Sequence, residues 1–337
     1  TSFAYYTWWN KIDIINASIC TSHLWKEFEI FTLVTNMRLL RPGIDDLTRR
    51  ELHSFADWLL QVGDGTVQSF PQRKDEECQW IQIPEELLIH PRNNPSESIF
   101  QAVYRDFEGN FAEPIYLRER AIVTPYNETA AELNEYILQN IPGDYVTYYS
   151  SNILSRSSDV PNQDIASYPS ESLNKISVPG VPDHELRLKI GCVVMLMRNI
   201  NQVAGLCNGT RLVILQLTTF LIEARIVSGD HLGDKVYIPR IIFSVKETRF
   251  PFVLNRKQFP LKLSYAMTIN KSQGQTLKYV GIYLPRPVFS LGQLYVTLER
   301  ATSHRNLKLL MLDENGAATS ITKNVVYKEI FEYIFQR

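Results

Sequence analysis

The chain has 337 residues, 45% of them hydrophobic and 21% charged, with 35 Lys+Arg nearly balancing 36 Asp+Glu. That is material for two domains of ~100–200 residues, each able to bury a core without disulfide or metal staples. A net charge of −1 points to no partner in bulk. Cys20, Cys78, Cys192 and Cys207 form no CxxC pair and no zinc-like spacing with histidine, which fits free thiols in a reducing, intracellular compartment. The most apolar stretch, 212–227, is broken by Gln216, Thr218, Thr219, Glu223 and Arg225. A membrane span needs about 20 mostly apolar residues, so no membrane partner is expected. The first nine residues carry neither an initiator Met nor a signal-peptide pattern and read as a cut end.

From Asp13 to Phe28 the apolar spacing suits a short helix feeding a strand over 29–33. Asp45 and Asp46 can cap a helix carrying Leu47, Leu52, Phe55, Ala56, Leu59 and Leu60, stopped by Gly63-Asp64-Gly65. The breaker-rich run 91–98 reads as a surface loop between a short element near Leu87 and a helix near Phe100. Residues 120–125 form a short buried strand, and Asn127 can cap a helix through Ala130, Leu133, Ile137 and Leu138 that Pro142-Gly143 ends. Strand, polar turn and helix in that order are the α/β signature.

The stretch 150–172 is rich in Ser, Asp, Asn and Pro and reads as a long exposed connection. Beyond it, 188–197, 210–216, 222–227 and 235–242 are β-rich runs separated by glycine turns, which suggests a small antiparallel barrel over 187–260 inserted into the α/β domain. The α/β pattern resumes with a strand from Leu261 through Tyr265 and Ala266 and a polar turn at Lys271-Ser272-Gln273-Gly274. A strand over 279–284, a helix over 292–299 and a strand over 307–312 follow.

Strand ends followed by small and polar residues recur at Thr124-Pro125-Tyr126-Asn127, at 268–276 and at 297–303. In α/β folds ligands sit at such ends, where backbone N–H groups and hydroxyls meet phosphate oxygens. Each also has a plain structural reading, since Thr-Pro-x-Asn is a common helix start and Lys271 can simply be solvated. Local charge adds weight: between Lys262 and Lys308 seven basic residues face the single acid Glu299. A basic section in a neutral chain is the footprint of a nucleic-acid or nucleotide face, or of a solvated surface.

Asn36-Met37-Arg38-Leu39, Leu186-Arg187-Leu188-Lys189-Ile190-Gly191, Gly205-Leu206-Cys207-Asn208-Gly209-Thr210-Arg211-Leu212, the segment 268–276, and Gly292-Gln293-Leu294-Tyr295-Val296 through Arg300-Ala301-Thr302-Ser303 closely resemble the Pif-type DNA helicases of superfamily 1B, in particular the helicase part of Helitron rolling-circle transposons. The resemblance implies an ATP-dependent 5′-to-3′ DNA helicase in a repair, recombination, telomere or transposition setting. Its fold would be α/β: residues 1–27 the tail of a first RecA-like domain, 28–186 and 261–337 the second RecA-like motor domain, and 187–260 an inserted SH3-like β subdomain. Arg38 and Arg300 match two arginines that reach the γ-phosphate, where a permanently charged, planar guanidinium stabilises phosphoryl transfer. By the same match Gly274, Gln275 and Gln293 lie near the nucleotide. Thr268, Lys271 and Ser272, with Thr124, Pro125 and Asn127, meet the DNA backbone, fixing position without reading sequence. The implied partners are single-stranded DNA and DNA forks, and the implied location is the nucleus, with mitochondria as a second site.

Two features depart from that pattern. Glu299 stands where a small Ser or Thr is usual and puts a carboxylate beside Arg300. No Gly-Lys dipeptide occurs in the chain, so the GxxxxGK[ST] phosphate loop is absent from these residues. ATP and Mg²⁺ therefore belong to an intact enzyme whose first RecA-like domain supplies that loop and the metal ligands, and this stretch alone is expected to have negligible ATPase. Leu309-Leu310-Met311-Leu312-Asp313-Glu314 imitates a metal-holding strand end but reads as a turn. A non-catalytic, single-stranded nucleic-acid-binding remnant of a transposon helicase is the rival reading, and an unrelated α/β metabolic enzyme ranks last.

Overall fold

Asp45 starts the longest helix, Asp46–Asp64, with a carboxylate that accepts the Thr48 backbone N–H at 2.9 Å and the Thr48 hydroxyl at 2.7 Å. Those bonds to the charged form hold the Asp45 carboxyl below its ordinary range. Phe55, Leu59 and Val62 form the buried stripe, while Leu47 and Leu60 face solvent. Gly65 then closes the helix in the left-handed region at φ 65°, returning its N–H to Gln61 and Val62, so Gly63 and Asp64 are still helical. The computed structural model from which this is read describes residues 11–31, 45–70, 78–91, 94–156, 168–246, 252–275 and 277–330.

These residues fall into two units. The first lies within Thr1–Val103, Ile122–Thr129 and Thr268–Arg337, the second within Tyr104–Ala121 and Ala130–Met267. The first contains a four-stranded sheet in the order Ala266–Thr268, Arg120–Thr124, Tyr279–Leu284, Leu307–Met311, and the chain passes between the units at its first two strands. Tyr279–Leu284 and Leu307–Met311 are parallel, with Ile282 opposite Leu309. Both read as near-continuous apolar runs because a parallel strand is covered on both faces. The helix Pro95–Val103 packs on Tyr279–Leu284 so closely that a Cβ on Gly281 would stand 2.4 Å from Val103 Cγ2. A smaller antiparallel sheet, Ser69–Phe70, Gln79–Gln82 and Ile321–Asn324, completes this unit.

The second unit is mostly antiparallel. Five strands run in the order Lys235–Pro239, Leu221–Ile226, Arg211–Leu217, Val193–Leu196, Leu261–Leu263. Three more, Ile241–Lys246, Phe252–Gln258 and Ser151–Arg156, form a second sheet whose inner face supplies Phe243, Val245, Phe252 and Leu254 to a core with Leu173, Val178 and Val181. Arg256 is buried there and spends its guanidinium on Asn152 Oδ1 and on the carbonyls of Leu173, Ile176 and Pro182, at 2.9–3.1 Å.

Several local expectations change. Residues 29–31 of the expected strand 29–33 are irregular and exposed, with Phe31 standing in solvent and no ladder partner among the described residues, while 32 and 33 lie outside those residues. The supposed connection 150–172 contains the strand Ser151–Arg156 and the start of the helix Ser170–Asn174, because pairing with Phe252–Gln258 outweighs polar composition. Pro95 to Ser98, read as loop, form the first turn of a helix, where proline loses nothing by lacking an N–H. The helix expected to be capped by Asn127 begins at Asn127 itself. The strand expected from Leu261 through Ala266 is broken after Leu263, since the Asn134 carboxamide accepts the N–H groups of Tyr265 and Ala266 and takes them out of a ladder.

Candidate nucleic-acid and nucleotide interface

Every expected site residue that is described belongs to the first unit, and Arg38 lies outside the described residues. Thr124 and Pro125 end the strand Arg120–Thr124 and are both buried; the Thr124 hydroxyl has no hydrogen-bond partner among the described residues. Asn127, three residues on, is exposed. Thr268 is half-buried at the end of Ala266–Thr268 and leads into the single-turn helix Ile269–Ser272, from which Lys271 projects into solvent. Ser272 is buried, and its hydroxyl donates to the Ile269 carbonyl at 2.7 Å. Of the six expected DNA contacts, Thr124, Pro125 and Ser272 are thus interior, because each completes a strand end or a helical turn. Asn127 and Lys271 are exposed, and Thr268 is half-buried.

The turn after Lys271 is tied to its own backbone. Gln275 N–H donates to the Ser272 carbonyl at 3.0 Å, and Gln275 Nε2 donates to the Lys271 carbonyl at 3.2 Å. Gly274 stands at φ 80° with open space where a Cβ would be, so its backbone conformation rather than crowding selects glycine. Arg300, just past the helix Gln293–Leu298, reaches across to this turn. Its Nη1 donates to the carbonyls of Gln275 at 3.1 Å and Ser272 at 3.5 Å, and its Nε donates to Val296 O at 3.0 Å. The Glu299 carboxylate pairs with Arg300 Nη2. The guanidinium is therefore folded onto its own unit and carries a local counter-charge.

Gln293, expected near the nucleotide, is buried and serves the loop before it: its Oε1 accepts the backbone N–H groups of Phe289 at 3.1 Å and Ser290 at 3.3 Å. Arginines and lysines that count as a basic run in sequence meet partners from elsewhere. Arg305 pairs with Glu51 at 2.6 Å, Arg286 with Glu128 at 3.6 Å, and Lys308 donates to the Glu86 carbonyl at 2.7 Å. Asp313 is a turn residue, its Oδ1 accepting the N–H groups of Asn315 and Ala317 at 2.9 Å. Among the described residues no group of three or more His, Cys, Asp or Glu side chains is placed to hold a metal ion. No helix among them is long and apolar enough to cross a membrane. Cys192 is buried in the second unit and its thiol is pushed up to about 12 by desolvation, which leaves it inert.

Three residues at this strand end escaped the sequence reading. Tyr126 is half-buried, its hydroxyl donates to the Pro287 carbonyl at 3.1 Å, and burial raises the pKa of that hydroxyl against the opposing pull of Arg286. The Arg286 guanidinium carbon lies 4.0 Å from the Tyr126 ring centroid, and the Phe289 ring is 5.4 Å away at 33°. The available signal was an aromatic residue inside the Thr124 to Asn127 segment and a second beside Arg286, but only folding joins them.

Residues 8–73 match the family model described as PIF1-like helicase, and residues 171–217 that of the 2B domain of DNA helicase Pif1. The human ATP-dependent DNA helicase PIF1 is 40% identical over 131 residues, which cover 38% of this chain and 20% of that protein. The ATP-dependent DNA helicase PIF6 of Trypanosoma brucei brucei is 28% identical over 200 residues, covering 56% of this chain and 24% of that one. The matched stretches thus span no more than about a quarter of these relatives. Among solved structures, the Pif1 helicase from Candida albicans superposes with a TM-score of 0.50 at 19% identity over 84% of this chain and 57% of that chain, a likeness of fold.

Proposed function

We propose, on the premise that this chain belongs to the Pif1-type helicases of superfamily 1B, that it carries the second motor domain of an ATP-dependent DNA helicase moving 5′ to 3′ along single-stranded DNA and opening duplex at forks. On this reading 28–186 and 261–337 are the RecA-like domain, 187–260 the inserted SH3-like subdomain, and 1–27 the tail of the first RecA-like domain. The rest of that first domain would come from chain outside these residues. The observation that carries the reading is the turn 271–275. It presents Lys271 to solvent while its Ser272 and Gln275 carbonyls hold Arg300. A strand pulling on Lys271 and a phosphate attracting Arg300 would therefore act on the same five residues, which is a mechanical link between DNA and nucleotide.

Exposure divides the labour. Asn127, Thr268 and Lys271 would touch the DNA backbone, and the interior Thr124, Pro125 and Ser272 would shape the segments that present them. ATP would supply the phosphoryl group whose negative charge Arg300, with Arg38, stabilises from across a domain cleft. To do so Arg300 must exchange Glu299 for phosphate, and Gln293 would act by holding the 289–290 loop. Mg²⁺ would arrive with the nucleotide, on ligands outside this chain. The nucleus, with mitochondria as a second site, is the expected setting.

The Glu299–Arg300 pair also favours a second reading, a single-strand-binding chain that has lost the arginine's catalytic use. Purified chain separates the two when combined with a first RecA-like domain carrying the phosphate loop. Salt-sensitive binding of single-stranded DNA is expected in both readings. ATP turnover that appears only with the added domain and disappears on Arg300→Ala supports the motor, and DNA binding indifferent to ATP under all conditions supports the remnant. Turnover by the chain alone that is lost on Arg38→Ala would contradict the proposed division of the site.

A further inference from the structure

Tyr126, Arg286 and Phe289 stand together where two neighbouring strands of the first unit end. The strands are Arg120–Thr124 and Tyr279–Leu284, and the bond from the Tyr126 hydroxyl to the Pro287 carbonyl shows that their ends lie on the same side. The Arg286 guanidinium covers the Tyr126 ring at 4.0 Å, and the Phe289 ring lies 5.4 Å from that of Tyr126. Two further bonds, from the N–H groups of Phe289 and Ser290 to the buried Gln293 carboxamide, fix the loop that carries Phe289.

The outward surface of this column is open: the Arg286 side chain is 62% exposed and Phe289 44% exposed. The ion pair of Arg286 with Glu128 joins two exposed side chains at 3.6 Å, a kind of contact that contributes little to stability. What the column does provide is a guanidinium lying over one aromatic ring, with a second aromatic ring beside that first one. Guanidinium planes and aromatic rings are the surfaces on which unstacked bases of a single strand come to rest, and any base has a face to offer. Because backbone and hydroxyl bonds already hold the group, little side-chain freedom is lost when a base arrives.

We propose that Tyr126, Arg286 and Phe289 form a stacking platform for one nucleobase of a single strand, beside Asn127, to which the reading above gives a backbone contact. The platform rests on the single-stranded DNA reading above and adds a contact that needs the base but not its identity.

The test uses the full chain and two labelled oligonucleotides of about 20 nucleotides, one of thymidine and one abasic throughout, equal in charge. Wild type is expected to bind the thymidine strand about ten-fold more tightly than the abasic strand. Arg286→Lys keeps the charge but removes the plane, so the preference should fall to within about two-fold while abasic binding is unchanged. Phe289→Ala should reduce the preference in the same direction. Lys271→Ala should weaken both probes alike and leave the ratio intact. Both probes binding with a ratio that Arg286→Lys and Phe289→Ala leave untouched would overturn the platform and spare the DNA reading. Binding of neither probe by wild type would sink the DNA reading, and the platform with it. Arg286 is exposed, so its replacement should leave the thermal midpoint unchanged; if Phe289→Ala lowers that midpoint, Arg286→Lys decides alone.

Discussion

Thr124→Val probes the strand end at the centre of the proposed DNA face. Thr124 is wholly buried in an inner strand of the four-stranded sheet, and its hydroxyl has no partner among the described residues. Burying an unpaired hydroxyl costs about 1–3 kcal/mol by mutational measure. Valine keeps the branched outline and the stiff χ1 while discarding the polar atom. The variant should therefore gain about 1–2 kcal/mol in urea unfolding, which for a unit of this size raises the thermal midpoint by roughly 2–4 °C per kcal/mol. Thr124→Ser is the control: it keeps the hydroxyl, loses one methyl, and should cost about 1 kcal/mol. Binding of a thymidine oligonucleotide should not change in the valine variant, since the hydroxyl is interior. A loss of about 1 kcal/mol or more by Thr124→Val would mean that the hydroxyl has a partner in solution. A loss of DNA affinity at unchanged stability would mean that it turns toward the strand. Either result refutes the assignment of Thr124 to the interior.

Arg256→Leu should cost about 3–5 kcal/mol in urea unfolding, because the Ile176 and Pro182 carbonyls lose their hydrogen-bond donor, and hydrogen exchange should quicken across 168–184. Gly281→Ala drives a Cβ to 2.4 Å from Val103 Cγ2 and 2.9 Å from Ile99 Cδ1, for a loss of about 1–3 kcal/mol. Adding Val103→Ala should recover part of that loss, a coupling readable in a double-mutant cycle. His184, with Nδ1 2.9 Å from Ser150 Oγ, has its pKa lowered by burial and then by the Arg256 charge, against a weaker opposing pull from Glu185. A depressed folded-state pKa means the unfolded chain takes up the proton first, so the neutral ring's contribution is complete above about pH 6.5 and declines as pH falls below it. His184→Asn should flatten that decline in unfolding curves taken between about pH 7 and 5.

The helix Asp46–Asp64 and the strands Tyr279–Leu284 and Leu307–Met311 are legible in the amino-acid order because their causes are local: a capping carboxylate, apolar residues at helical spacing, an unbroken apolar run, a glycine able to enter the left-handed region. The strand Ser151–Arg156 is not, since its ladder partner begins about a hundred residues later and its own composition resembles a loop. The candidate site divides in the same way. The segments around Thr124, Thr268 and Arg300 carry residue types and turns recognisable on their own, and they do stand at strand or helix ends in one unit.

Composition, cap chemistry and short-range periodicity were enough to determine an α/β chain with a β-rich section and to mark the strand ends where a ligand could sit. Only the tertiary structure decided that Thr124 and Ser272 face inward, that Glu299 occupies Arg300, that Glu51 and Glu128 offset part of the basic run, and that Tyr126 meets Arg286 and Phe289. The reason is one of range: backbone propensity acts within a few residues, whereas burial and charge pairing depend on which distant segments chain closure brings to within 4 Å.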